Sequence, residues 1–189
     1  MLIVQPIHIL TINTDPGNGR DLIKIAEEAM SYFPAETWDD VECLGKLSQE
    51  HDVKIAIGED SFGAFLFERL TKLFGRIQES YRSIDLLLGV TLDPIVAVYQ
   101  YFDGGRFKQA LYLVHDYVTE TIGVISFFRV EATASSKVVA HGLGHSKGLR
   151  HHLEPIDLMH PELLRTSTLQ VEGFCKACLS RLTKDQRAT

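Results

Sequence analysis

The stretch that decides the fold and chemistry of this chain is 138–152, which reads VVAHGLGHSKGLRHH. Its apolar and small residues predict a helix, and His141 and His145 lie four residues apart within it. A helix places residues at that spacing on one face, so both imidazoles can reach one metal ion. The pair alone is weak evidence, because most such pairs are surface or packed histidines.

The residues that follow His145 strengthen the hypothesis of a metal site. Gly148 can adopt a left-handed conformation that ends the helix and turns the chain back. His151 then arrives three residues later, where it can supply a third ligand. Three imidazoles and one open position are typical of catalytic zinc. The adjacent His152 leaves open which of the two imidazoles binds this ion.

The spacing H-x-x-x-H-x-x-G-x-x-H resembles the zinc signature of the metzincin metallopeptidases. Members of that group also carry a methionine in a tight turn beneath the metal. Met159, within the stretch IDLMHP at 156–161, lies at a suitable distance to take that role. Considered without the histidines, Met159 would be interpreted as an ordinary core residue.

The resemblance extends to one metzincin family, the archaemetzincins, over roughly residues 84–182. In that family four cysteines downstream of the third histidine hold a second, structural zinc. Here His152 and Asp157 replace the first two cysteines, and Cys175 and Cys178 form the C-x-x-C. Histidine and aspartate are accepted zinc ligands, so the resemblance implies a mixed second site and two zinc ions in all.

Two further segments carry the resemblance upstream. The stretch DLLLGVTLD at 85–93 resembles the family's strand that leads to a Thr/Asp turn. The stretch GVIS at 123–126 resembles the strand before its active-site helix. The first half of the chain resembles the family only in its pattern of elements. The resemblance implies one metzincin-like domain over 1–189, with a mixed sheet, an active-site helix and a methionine turn.

The chain departs from the family at Gly142. There the family has a glutamate that takes a proton from zinc-bound water and delivers it to the leaving amine. Glycine cannot do so, and losing this help typically lowers the rate by a factor of about 10² to 10⁴. Glu154, Glu131 and Glu120 are the nearest other carboxylates in sequence, but no known motif places a general base at their positions.

Three functions therefore stay open. The resemblance implies a zinc metallopeptidase that hydrolyses peptide bonds by zinc-bound water. An inactive relative could instead keep zinc and bind peptides or proteins in its cleft, and the chemistry of Gly142 alone favours this second function. In the third, both metals are structural and the fold serves protein interaction. A redox role for Cys175 and Cys178 is least favoured. In thioredoxin-like proteins the C-x-x-C follows a strand and opens a helix near the N-terminus, whereas here it lies near the C-terminal end of the sequence.

The composition excludes several classes of protein. The chain has 189 residues, 45% of them hydrophobic and 23% charged, with a net charge of −6. The acidic balance argues against nucleic acid as the main partner, and no apolar run reaches the length of a membrane span. Three cysteines are too few for a secreted disulfide framework, and the apolar N-terminus lacks the features of a signal peptide. We therefore expect a cytoplasmic protein.

The hydrophobic patterns predict an α/β arrangement of one domain with a mixed sheet. The predicted strands are 2–13, 41–47, 53–57, 84–92, 110–115 and 122–130, and 95–107 is predicted to be a loop with a short strand. The predicted helices are 20–33, 62–81, one capped by Ser135 or Ser136 that runs through 144–146, and 174–182.

Overall fold

The computed structural model describes residues 5–14, 21–81, 84–154, 157–161, 163 and 172–185. In chain order the elements are β1 (Gln5–Ile12), α1 (Leu22–Met30), β2 (Trp38–Leu47), β3 (Val53–Ile57), β4 (Asp60–Leu66), α2 (Phe67–Ser80), β5 (Leu86–Thr91), β6 (Ile95–Asp103), β7 (Arg106–Val114), β8 (Asp116–Val118), β9 (Ile122–Ser126), α3 (Ala132–Ser146) and α4 (Lys176–Asp185).

The strands form two mixed sheets. In the first, with strand order β2-β1-β5-β9-β8, the first four strands are parallel and β8 is antiparallel to β9. In the second, with order β3-β4-β6-β7, β4 and β6 are parallel and the outer pairs are antiparallel. The α/β class with mixed sheets is therefore as predicted.

The central strand β5 is buried at all six positions because helices cover both faces of its sheet. Leu86 and Leu88 point to one face, where they join a core with residues of α1 and α3. Leu87 points to the other face and packs with Phe74 of α2. This packing fixes α3, the helix that carries His141 and His145, against the sheet.

The helix predicted over 62–81 begins only at Phe67. The preceding residues form β4, which pairs with β3 from Ile57↔Asp60 onward. Gly58 has a φ of 67°, the left-handed conformation that lets the chain reverse between these strands. Backbone pairing across the hairpin therefore decides the structure here, in spite of the helical spacing of the apolar residues.

The prediction of a loop with a short strand over 95–107 is also wrong. These residues form β6 and the start of β7, joined by Gly104 and Gly105 with φ values of 58° and 78°. Two positive φ values in a two-residue connection make a type I′ hairpin turn. The hairpin was missed because most of its side chains are exposed, so its strands show no burial alternation.

Several predicted boundaries also differ from the structure. Glu131, and not Ser135 or Ser136, is the N-cap residue of α3, and the strand predicted to reach Val130 ends at Ser126. The last helix begins at Lys176. The three-residue strand β8 was not predicted. Among the helices of the described part of the chain, none is long and apolar enough to cross a membrane.

Candidate metal centre

Helix α3 and the turn after it bring three histidines together. His141 and His145 lie one turn apart on α3. Gly148 has a φ of 76°, the left-handed conformation expected of it, and the helix ends just before it. The returning chain places His151, and not His152, beside the two helical imidazoles.

The three Nε2 atoms converge on one point. The His151 Nε2 atom lies 3.1 Å from His141 Nε2 and 3.0 Å from His145 Nε2. With Zn–N distances of about 2.0–2.1 Å, tetrahedral geometry separates two ligand nitrogens by about 3.3 Å. A single zinc ion therefore fits this triad with only small adjustments of the rings.

Two of the imidazoles have acceptors on the far side of the ring. The His141 Nδ1 atom lies 2.8 Å from Asp116 Oδ2, and the His145 Nδ1 atom lies 3.0 Å from the Leu149 carbonyl oxygen. A carboxylate and a carbonyl can only accept, so each Nδ1 carries the hydrogen and each Nε2 keeps its lone pair for a metal.

The environment of His145 and His151 favours the neutral form of their imidazoles. Burial lowers the pKa of His145, and the neighbouring His141 lowers it further, against the opposing effects of the Leu149 carbonyl and Asp116. Burial also lowers the pKa of His151, with further lowering by His145 and His141. Neutral imidazole is the form that binds metal, so the site is prepared for a cation.

Gly142 lies on the buried side of α3, against β8. A Cβ atom at this position would come within 2.7 Å of Val118 Cγ2 and 3.4 Å of Asp116 Oδ2. Strand β8 therefore fills the space into which a glutamate at 142 would have to extend.

Glu120, Glu131 and Glu154 are all exposed, and none of them lines the cavity beside the histidines. Glu131 is the N-cap residue of α3. The carboxylate that does reach the histidines is Asp116, which sequence reasoning missed. Its position in a short unpredicted strand, 25 residues before His141, gives no spacing signal.

A cavity of about 1350 Å³ opens beside the histidines. One wall is the triad with Asp116, and another is the exposed aromatic part of β6, β7 and β8. Its tyrosines are Tyr99, Tyr101, Tyr112 and Tyr117. No lysine, arginine or glutamate occurs among the described lining residues. The cavity is therefore suited to partly apolar ligands, and Asp116 is the one carboxylate among its described lining residues.

A second group combines His152, Asp157, Cys175 and Cys178, whose ligand atoms all lie within 4.8 Å of one another. The His152 Nε2 atom lies 3.2 Å from Cys178 Sγ, 3.7 Å from Cys175 Sγ and 3.2 Å from Asp157 Oδ2. The four residues whose grouping the resemblance implied are thus adjacent. Imidazole, carboxylate and two thiols form a donor set that suits tetrahedral zinc.

The charges of this second group depend on its burial. Burial raises the pKa of the Cys178 thiol to about 12, and the charge of Asp157 adds to the effect. Burial also acts to raise the pKa of Asp157, but hydrogen bonds from Cys175 and from the Met159 backbone hold it below its usual value. A cation between these residues would favour the thiolate form, which is the form that binds zinc.

Met159 lies fully buried beneath α3. Its Sδ atom is 2.6 Å from where a Cβ at Gly144 would be, so Gly144 allows the thioether to approach the helix between the two helical histidines. The Met159 carbonyl also accepts a hydrogen bond from the backbone N–H of His152. Met159 thus connects the two groups of metal-ligand candidates.

No family model and no curated protein matches the sequence. Solved structures do match in fold. An archaemetzincin from Methanopyrus kandleri aligns with a TM-score of 0.59 and 18% identity, over 97% of this chain and 96% of that one. A zinc-dependent peptidase from Methanocorpusculum labreanum aligns with a TM-score of 0.56 and 16% identity, over 93% and 99%. At these identities the likeness establishes the fold, and it confirms the predicted archaemetzincin-like architecture.

Proposed function

We propose that this chain is a zinc-dependent metallopeptidase of the metzincin type that works without the usual general-base glutamate. The observation that carries the proposal is the convergence of three imidazoles on the wall of a cavity, where the Nε2 atom of His151 lies 3.0 and 3.1 Å from the other two Nε2 atoms. When bound, zinc polarises a carbonyl and lowers the pKa of its water toward neutrality.

The residues of the chain divide the work between two sites. His141, His145 and His151 would hold the first ion on the wall of the cavity. His152, Asp157, Cys175 and Cys178 hold a second, structural ion that ties the segment after α3 to α4. Met159 forms the methionine turn beneath the first site. Because His151 and His152 are adjacent, the second ion also steadies a ligand of the first.

The substrate proposed is a peptide or protein segment with uncharged side chains. Support comes from the tyrosine-rich lining of the cavity and from the lack of lysine, arginine and glutamate among its described residues. An extended peptide along β6 and β7 would bring one carbonyl to the open position at the histidines.

A second function is favoured by Val118. Its Cγ2 atom occupies the space beside Gly142. The position where the family has a glutamate therefore lacks a carboxylate, and a valine side chain fills the space that the glutamate would need. In that case the chain is a zinc-stabilised module that binds peptides without cleaving them.

Two measurements test these functions. Protein purified in metal-free buffer and then loaded should hold two zinc ions per chain, and the double variant His141→Ala, His145→Ala should hold one. Absence of any bound transition metal in the wild type would overturn the metal centre. A peptide-library digest then separates the functions: cleavage that chelator abolishes supports the peptidase, and binding without cleavage supports the module.

A further inference from the structure

We propose that Asp116 is a positioning residue that orients His141 in the first metal site. We also propose that the lack of a side chain at Gly142 lets the strand that carries Asp116 pack close enough to do so. This inference rests on the proposed zinc centre but concerns how tightly the centre holds its metal. Asp116 belongs to β8, which is antiparallel to β9 at the edge of the sheet. None of the motifs discussed above assigns a role to this strand.

The contact between Asp116 and His141 is short and protected from water. The Oδ2 atom lies 2.8 Å from Nδ1, and each side chain is only 11% exposed. A carboxylate at that burial is costly unless it is paired. The His141 N–H donates to it and satisfies it, which fixes both the ring orientation and the tautomer.

The carboxylate lies on the side of the His141 ring away from the atom that would bind the metal. Asp116 contacts Nδ1, whereas the metal-binding atom Nε2 lies across the ring and faces His151. The imidazole ring therefore lies between Asp116 Oδ2 and the nitrogen that would bind the metal. What Asp116 can do is make Nε2 a more basic ligand and hold it in place.

Gly142 explains how β8 comes close enough. Val118, two residues after Asp116 in the same strand, lies between Gly142 of α3 and Gly123 of β9, where Cβ atoms would come within 2.7 Å and 2.8 Å of its Cγ2 atom. A side chain at 142 would push the strand away, and Asp116 with it. Gly142 thus has two consequences. It replaces the glutamate of the family, and it lets Asp116 approach the Nδ1 side of His141.

The test is the zinc affinity of the full-length protein, measured by competition with a chromophoric chelator. Asp116→Ala should weaken binding of the first ion by about 10- to 100-fold and leave the second unchanged. Asp116→Asn keeps an acceptor without the charge, so its loss should be smaller but measurable. Asp93→Asn is the matched control, because the Asp93 carboxylate contacts His51, which belongs to neither group, at 3.0 Å.

Unfolding of the chelated variants shows whether Asp116 acts on the metal or on the fold. A loss of affinity much larger than any loss of apoprotein stability supports the proposal. Wild-type affinity in Asp116→Ala overturns it, as does a loss no larger than that of Asp93→Asn. If the alanine variant does not fold, wild-type affinity in Asp116→Asn overturns it instead. A wild type that takes up no zinc at the triad would refute the proposed function, which is a distinguishable result.

Discussion

Val118 and Gly142 compete for one space: a Cβ atom on Gly142 would come within 2.7 Å of Val118 Cγ2. Val118 is β-branched, so its side chain has few alternative rotamers. Gly123 borders it on the other side, where an added Cβ would lie 2.8 Å from the same Cγ2 atom. A side chain at position 142, including the glutamate that the metzincin mechanism uses, therefore fits only if Val118 or strand β8 shifts.

This packing predicts the effect of Gly142→Ala. In a helix interior, replacing glycine by alanine normally stabilises by up to about 1 kcal/mol. At 142 we expect destabilisation of about 1–3 kcal/mol, because overpacking forces β8 and α3 apart. Urea unfolding measures it, and Gly75→Ala in α2 is the control, since nothing lies within 4 Å of a Cβ there. Equal effects at the two positions would contradict the packing argument.

The same contact predicts that Gly142→Glu alone does not raise peptidase activity above that of the wild type. The variant should bind the first zinc more weakly than the wild type, because the displaced strand carries Asp116 away from His141. Adding Val118→Ala should recover part of the zinc affinity, by making room for the side chain. Chelator competition on the single and double variants checks this. A fully active Gly142→Glu single variant would show that the space is easily opened.

The second site predicts a stability effect that depends on zinc. Cys178→Ala should reduce the zinc content from two ions to one and destabilise the fold more with zinc present than without it. At free zinc about 100 times above the dissociation constant, the lost ion is worth about 2.7 kcal/mol. Cys43→Ala is the control, since Cys43 belongs to neither group of ligands. Thermal unfolding with and without chelator measures the difference, and equal zinc dependence in both variants would refute the second site.

The grouping of the three histidines could be predicted from the sequence, because it depends on helix geometry and on one glycine turn, and both are local features. Strand β5 was predicted for a similar reason, since a strand covered on both faces is a continuous apolar run. Asp116 was not predicted, because it meets His141 through sheet topology and not through spacing. The β6–β7 hairpin was missed because its strands bury few side chains. The packing reason for a glycine at 142 could not be predicted either, because the side chain that requires it, Val118, belongs to β8.

The lowered pKa values of His145 and His151 predict an acid-sensitive apoprotein. In the unfolded chain these imidazoles titrate near 6.5, whereas in the folded chain burial first, and then the neighbouring histidines, lower the pKa. Between the folded and unfolded pKa values the unfolded chain binds more protons, so the free energy of unfolding falls as the pH falls below 6.5.

Urea unfolding of the chelated protein between pH 7.5 and pH 5.5, a range chosen to span the unfolded histidine pKa of about 6.5, tests this dependence. The slope should be smaller in His145→Gln, which removes one titrating group. A free energy of unfolding that rises on acidification would contradict the prediction. Asp157, whose pKa is also lowered, contributes only near the ordinary aspartate pKa of 3.8 and below.

Gly148 predicts a loss of metal affinity at a position where an added side chain would touch nothing. Its φ of 76° is left-handed, which costs a residue with a Cβ atom about 1–2 kcal/mol. There is open space around a Cβ at 148, so any effect of Gly148→Ala comes from the backbone and not from a clash. The strained turn should relax and carry His151 away from the two helical imidazoles. Gly148→Asn should be milder, because asparagine tolerates the left-handed region. Zinc affinity that falls in the order glycine, asparagine, alanine would support this account, and equal affinities would show that the turn does not position His151.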